Sequence, residues 1–189
     1  MIDLCNKLIN NELTREELLE KVEIQKTTKN DLDQICKTLA KAFDLSSNRE
    51  AYQQLMQSNV LLDESIKLVD KENGDIYGLL MFCEYPIHIG SPIMIECPLL
   101  AQYLGQFKQV NGHSFIIDER LRGTNLDKKM LYHNLDFFSK NYDLIWIGVE
   151  ESLTTKKYWE RLGFVKVFEI PQADFYLVPL SKKMISLYL

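Results

Sequence analysis

The stretch from Ile116 to Leu131, IIDERLRGTNLDKKML, decides how this chain is read. It joins an apolar run to a segment in which Leu126, Met130, Leu131, Leu135 and Phe138 keep helical spacing. A glycine-bearing turn between a strand and a helix N-terminus can hold a phosphate on backbone amides. Here Gly123 is the only glycine of the turn, and Asp127 puts a carboxylate in the first helical turn. A bare helix also favours a carboxylate there, because it stabilises the dipole a phosphate would use. The turn is therefore a phosphate cradle, a decayed cradle, or an ordinary helix start capped by Asp127.

Downstream, LIWIGV (residues 144–149) is six apolar residues in a row, the pattern of a strand buried on both faces. LTTKKYWERLGF predicts a short helix stopped by Gly163. FVKVFEI and DFYLVPL, separated by PQA, predict a closing antiparallel pair. Upstream, VNGHSFIID is a strand candidate that feeds the decisive turn. SIKLVD and DIYGLLMFCEY flank the turn KENG and predict a hairpin. VEIQK predicts a strand from Val22 to Lys26, and Thr28 and Asp31 cap a helix carrying Leu32, Ile35, Cys36, Leu39 and Phe43. A second helix is expected over 49–57. Thr14 and Glu17 form a capping-box pattern in a short helical segment ahead of Val22. Residues 86–109 hold Pro86, Pro92 and Pro98, which argue against one long element, although LLAQYLGQF has the length of a short helix.

Bulk properties agree with one α/β domain. At 189 residues, 46% apolar, the chain can bury roughly 70% of its unfolded surface without metal or disulfides. A net charge of −5 and the lack of a long basic run argue against nucleic-acid or anionic-membrane binding. Cys5, Cys36, Cys83 and Cys97 are scattered, as expected for free thiols in a reducing compartment and not for a zinc site. Asp3 interrupts the N-terminus too early for a signal peptide, and no run reaches the ~20 apolar residues of a membrane span. The expected location is cytoplasmic.

The segment 116–131, followed some forty residues later by KKYWERLGF (residues 156–164), resembles the GNAT superfamily of acetyl-CoA-dependent N-acyltransferases. The element order from Val22 onward is similar to that fold. The resemblance implies a mixed, mostly antiparallel, twisted sheet of seven strands flanked by four helices. It places that domain over 22–189, behind a helical extension over 1–21.

It also implies a cosubstrate, acetyl-CoA, and no metal. The family pattern is arginine or glutamine, two residues, glycine, one residue, then glycine or alanine. Arg122 matches, Gly123 is the extra glycine after it, and Asn125 and Asp127 occupy the two small positions. The pyrophosphate is expected on the segment Arg122, Gly123, Thr124, Asn125, Leu126, Asp127 and Lys128. The backbone of Phe115, Ile116 and Ile117 is expected to pair with the pantetheine arm and polarise the thioester. Asn125 tolerates unusual backbone angles, whereas Asp127 adds bulk and charge.

Transfer to an amine needs a base and a proton for the departing thiolate. The family often has a tyrosine four residues before the GF glycine; that position is Trp159 here, with Tyr158 one residue earlier. Tyr158 is the candidate acid, and water is the alternative. His113, four residues before Ile117, is the candidate base; its other reading is a turn histidine beside Asn111-Gly112. Glu84 and Glu96 are back-up bases, and His88 and His133 read as structural. The acceptor implied is a primary amine on a small molecule or a protein. The competing reading is a non-catalytic CoA-binding or protein-interaction module. A third treats the N-terminal helices and residues 86–109 as a partner surface, a homodimer contact among its forms.

Overall fold

Thr14 opens the first helix by side-chain capping: its hydroxyl accepts the Glu17 amide at 3.2 Å, and the Glu17 carboxylate accepts the Thr14 amide at 2.7 Å. Helix α1 (Arg15–Lys21) follows. A computed structural model describes residues 14–86, 92–150 and 155–180. The helical segment expected before Thr14, Cys5 and His88 lie outside the described residues. Two compact units make up the chain, Met1–Phe82 with Ser114–Asn134, and Cys83–His113 with Leu135–Leu189.

In the first unit, β1 (Val22–Lys26) and β2 (Ile66–Asp70) pair antiparallel, and β2 pairs antiparallel with β3 (Ile76–Cys83). Gly74, at φ 75°, turns the β2–β3 hairpin, its amide bonding the Asp70 carbonyl at 2.9 Å. Thr28 and Asp31 form the expected capping box ahead of α2 (Leu32–Ala42). Lys67 of β2 pairs with Asp31 at 2.6 Å, which ties the start of α2 to the sheet. Apolar residues three and four apart on α2 face inward: Ile35, Cys36 and Leu39 join Ala51 and Leu55 of α3 (Asn48–Gln57) against Leu79 and Met81. Burial of each of the isoleucine, leucine and methionine side chains stabilises the fold by roughly 1.5–3 kcal/mol.

In the second unit, β5 (Leu144–Glu150) pairs antiparallel with β7 (Ala173–Pro179) along its length, and β7 with β6 (Val165–Ile170). Residues 144–147 and 149 of β5 are buried, as the apolar run requires. The proline-containing stretch forms two helices, α4 (Pro92–Glu96) and α5 (Pro98–Leu104), each begun by a proline whose missing N–H costs nothing there. Ile93, Ala101 and Leu104 from these helices cover Leu144, Trp146 and Leu177. Helix α7 (Lys156–Arg161) is followed by Gly163 at φ 89°.

The remaining elements are β4 (Gln109–Ile117) and α6 (Leu126–Asn141). The seven strands are ordered β1-β2-β3-β4-β5-β7-β6, with β1–β2, β2–β3, β5–β7 and β6–β7 antiparallel and β4–β5 parallel. The predicted sheet is therefore present. The four flanking helices expected are joined by α1 of the expected N-terminal extension, by α5 over the stretch already of short-helix length, and by α4, which the prolines had obscured. No helix among the described residues is long and apolar enough to cross a membrane.

Candidate active site

In the first unit, strand β4 ends at Ile117, and the Asp118 amide bonds the Tyr77 carbonyl of β3 at 2.8 Å. Gly78 lets these elements close up. A Cβ there would lie 3.0 Å from Met130 Sδ and 3.2 Å from the Ile116 carbonyl oxygen. A single 3₁₀ turn, Glu119–Leu121, follows. Leu121 is buried at its end and pins the loop, while the Thr124 hydroxyl donates to the Leu121 carbonyl at 2.6 Å.

The loop then makes two left-handed steps, Gly123 at φ 76° and Asn125 at φ 65°. Glycine adopts such angles freely, and asparagine is among the few other residues that do so at modest cost. The Asn125 carbonyl accepts the Lys129 amide at 3.1 Å. Helix α6 thus starts from Asn125, so the amides of Asn125, Leu126, Asp127 and Lys128 have no acceptor within the helix. At 16 residues, α6 is long enough for a full terminal dipole. Leu126 is buried and anchors the helix. Arg122, Gly123, Asn125 and Lys128 are exposed, and Asp127 is half-buried. The segment therefore combines a left-handed turn, uncommitted helix amides and two exposed cations, with Asp127 as a fixed negative charge among them. Phe115, Ile116 and Ile117, all half-buried, lead into it.

The candidate acid and base belong to the second unit. His113 is half-buried on β4, and desolvation holds its imidazole below the usual histidine pKa. Trp159 on α7 is buried and packs edge-on against Phe164, with ring centroids 5.2 Å apart. Tyr158 stacks edge-on against Trp159 at 5.3 Å, and its hydroxyl oxygen is buried. Of the adjacent aromatics, Trp159 is thus the one taken by the core. Among the back-up bases, Glu84 accepts a hydrogen bond from the Tyr142 hydroxyl at 3.1 Å, and Glu96 is exposed on α4. His133 is exposed on α6.

Asn111 lies at the last rung of the parallel β4–β5 ladder, whose register is Gln109↔Leu144, Val110↔Ile145 and Asn111↔Trp146. Both strands continue beyond that rung, β4 to Ile117 and β5 to Glu150. Sequence reading missed Asn111, because Asn-Gly is a strong turn signal. The signal available was an amide residue directly after Val110 inside a strand candidate.

No family model and no curated protein matches the sequence. Solved structures do. The GNAT family N-acetyltransferase YhbS from Escherichia coli in complex with CoA is similar with a TM-score of 0.59 at 19% identity, covering 85% of this chain and 82% of that one. An acetyltransferase of the GNAT family from Staphylococcus aureus Mu50 gives a TM-score of 0.57 at 12% identity, covering 84% and 99%. Arylalkylamine N-acetyltransferase 2 from Aedes aegypti gives 0.59 at 14% identity, covering 84% and 98%. A chain so distant in sequence that nonetheless spans nearly the whole length of these enzymes has the fold of the GNAT N-acetyltransferases.

Proposed function

We propose that the protein is an N-acetyltransferase that moves an acetyl group from acetyl-CoA to a primary amine by direct attack. The observation that carries this reading is the start of α6. Left-handed Gly123 and Asn125 turn the chain so that helix amides are left without intrahelical acceptors, as a pyrophosphate needs. Thr124 braces that turn, and Arg122 and Lys128 add positive charge. The β4 backbone at Phe115–Ile117 pairs with the pantetheine arm, and preorganised N–H donors stabilise the developing oxyanion. The domain boundary falls at Val22, with the helical segment before it an extension.

In the reaction the amine nitrogen attacks the thioester carbonyl, the new C–N bond forms, and the C–S bond breaks. The proton lost by the amine goes to His113, directly or through water. Desolvation keeps the imidazole neutral at physiological pH, so it is available as a base. The proton taken by the CoA thiolate comes from the Tyr158 phenol. The acceptor is assigned to the class of primary amines, on a small molecule or on a protein.

A second reading is favoured by Asp127, whose carboxylate stands where the family has a small neutral residue. In that reading the fold keeps a CoA or protein site without turnover. Calorimetric titration with acetyl-CoA, paired with a thiol-release assay over a panel of primary amines, separates the two. Micromolar binding with amine-dependent thiol release supports the enzyme. Binding without release supports a CoA-binding module, and no binding even by Asp127→Gly removes both CoA readings and leaves the protein-interaction module.

A further inference from the structure

Asn111 is only 9% exposed, and a buried amide must find partners for both its oxygen and its nitrogen. Its Oδ1 accepts from the Cys83 thiol, with Sγ at 3.2 Å, and its Nδ2 donates to the Trp146 carbonyl oxygen at 3.3 Å. The two partners fix the amide's orientation, since a thiol hydrogen needs an oxygen and a carbonyl needs an N–H. Burial pushes the Cys83 thiol up to about 11, so it remains a donor over the working pH range. The Trp146 indole in turn donates to the Tyr85 carbonyl at 2.8 Å. Two hydrogen bonds of one side-chain amide thus link the end of β3, the first part of β4 and β5, and the indole bond ties β5 to the chain just beyond β3.

This clamp sits where pairing stops. Asn111↔Trp146 is the last rung of the β4–β5 register. At the next residue, Gly112, a Cβ would come within 2.8 Å of Ile147 Cγ2. Any side chain at 112 would push the strands apart at the point Asn111 draws together. His113 follows on β4, two residues from the clamp and on the same pleat face by strand alternation.

We propose that Asn111 is a positioning residue: its amide, oriented by Cys83, pins the last β4–β5 rung and thereby holds Gly112 and His113, the first residues released from that pairing, for acyl transfer. The inference rests on the N-acetyltransferase reading for its catalytic meaning, but the placement of His113 can be measured separately. The protein has three histidines, so the His113 ring can be followed by NMR against pH in the full chain. Asn111→Leu keeps the number and branching of side-chain heavy atoms and removes both hydrogen bonds. Losing both bonds falls first on stability, and the loosened strand is expected to weaken acetyl-CoA binding roughly tenfold. The variant should also move the His113 midpoint back toward the ordinary histidine value. Cys83→Ala should act in the same direction, and Cys83→Ser, which restores a donor, should recover the native behaviour. This pair decides the matter if Asn111→Leu does not fold. A folded Asn111→Leu with native acetyl-CoA affinity and native His113 midpoint overturns the proposal, even with a lower melting temperature. So does Cys83→Ser that behaves like Cys83→Ala. Failure of the native protein to bind acetyl-CoA overturns the enzyme reading, and the His113 midpoint alone then decides whether Asn111 positions that ring.

Discussion

The Asn125 carbonyl accepts the Lys129 amide at 3.1 Å while Asn125 itself holds φ 65°. A helix start built on a left-handed residue tolerates glycine and asparagine but penalises a β-carbon without a compensating local hydrogen bond. Asn125→Gly should therefore leave stability within a few tenths of a kcal/mol, whereas Asn125→Ala should cost about 1 kcal/mol. Urea unfolding of both variants measures this. An equal loss in the two would show that the side chain, and not the backbone angle, matters at 125.

Asp127 should have opposite effects on stability and on ligand binding. Its carboxylate favours the positive end of α6, so Asp127→Asn should lower stability by about 0.3–1 kcal/mol. The same charge repels a pyrophosphate by about 1 kcal/mol at contact distances in water-like surroundings, so acetyl-CoA should bind roughly fivefold tighter to the variant. The gain should shrink at about 1 M salt, where the screening length is only ~3 Å. Calorimetry at two salt concentrations, with a thermal melt alongside, tests both signs. An affinity that falls in the variant would mean the carboxylate takes part in binding.

Tyr158 and Trp159 are adjacent on α7, and only Trp159 is fully committed to the core through Phe164. Tyr158→Phe keeps the ring against Trp159 and removes only the hydroxyl, and with it the proton. Turnover should fall by about 10²-fold, the usual contribution of a positioned acid, with acetyl-CoA affinity and stability unchanged. Native turnover by the variant would mean that the thiolate, with a thiol pKa near 8.5 in water, leaves without an acid. Stopped thiol-release kinetics with Tyr158→Phe decide this.

The fold was readable because its strongest signals are local. The unbroken apolar run of β5, the capping boxes at Thr14 and Thr28, and Gly163 after α7 each carry their own physical reason in a few residues. The turn at Gly123 and Asn125 was readable for the same reason, since few residues accept its backbone angles. What stayed hidden depends on distant partners. Nothing near Gly78 announces that Met130 and the Ile116 carbonyl would crowd a β-carbon there. Asn111-Gly112 looks like a turn until β3 and β5 supply Cys83 and Trp146. Pro92 reads as a break because its sequence neighbours do not reveal that it begins a short helix.

On the proposed base role, His113 would link activity and stability to the same titration. Desolvation holds its pKa below the ordinary 6.5, so the folded protein keeps the ring neutral in a window where the unfolded chain protonates it. In that window the unfolded state binds more protons, and stability rises with pH. Above about 6.5 both states are neutral and the dependence vanishes. His113→Gln should therefore flatten the slope of unfolding free energy below pH 6.5 and leave stability above it free of any titration effect. As the base, the neutral ring should also place the acidic limb of kcat/KM below pH 6.5, and His113→Gln should cost about 10²-fold in rate. Unfolding and kcat/KM measured from pH 5 to 8 on the native protein and the variant test both. A flattened stability slope with an unchanged kcat/KM profile would leave His113 as a desolvated strand residue and assign the base to water or to Glu84.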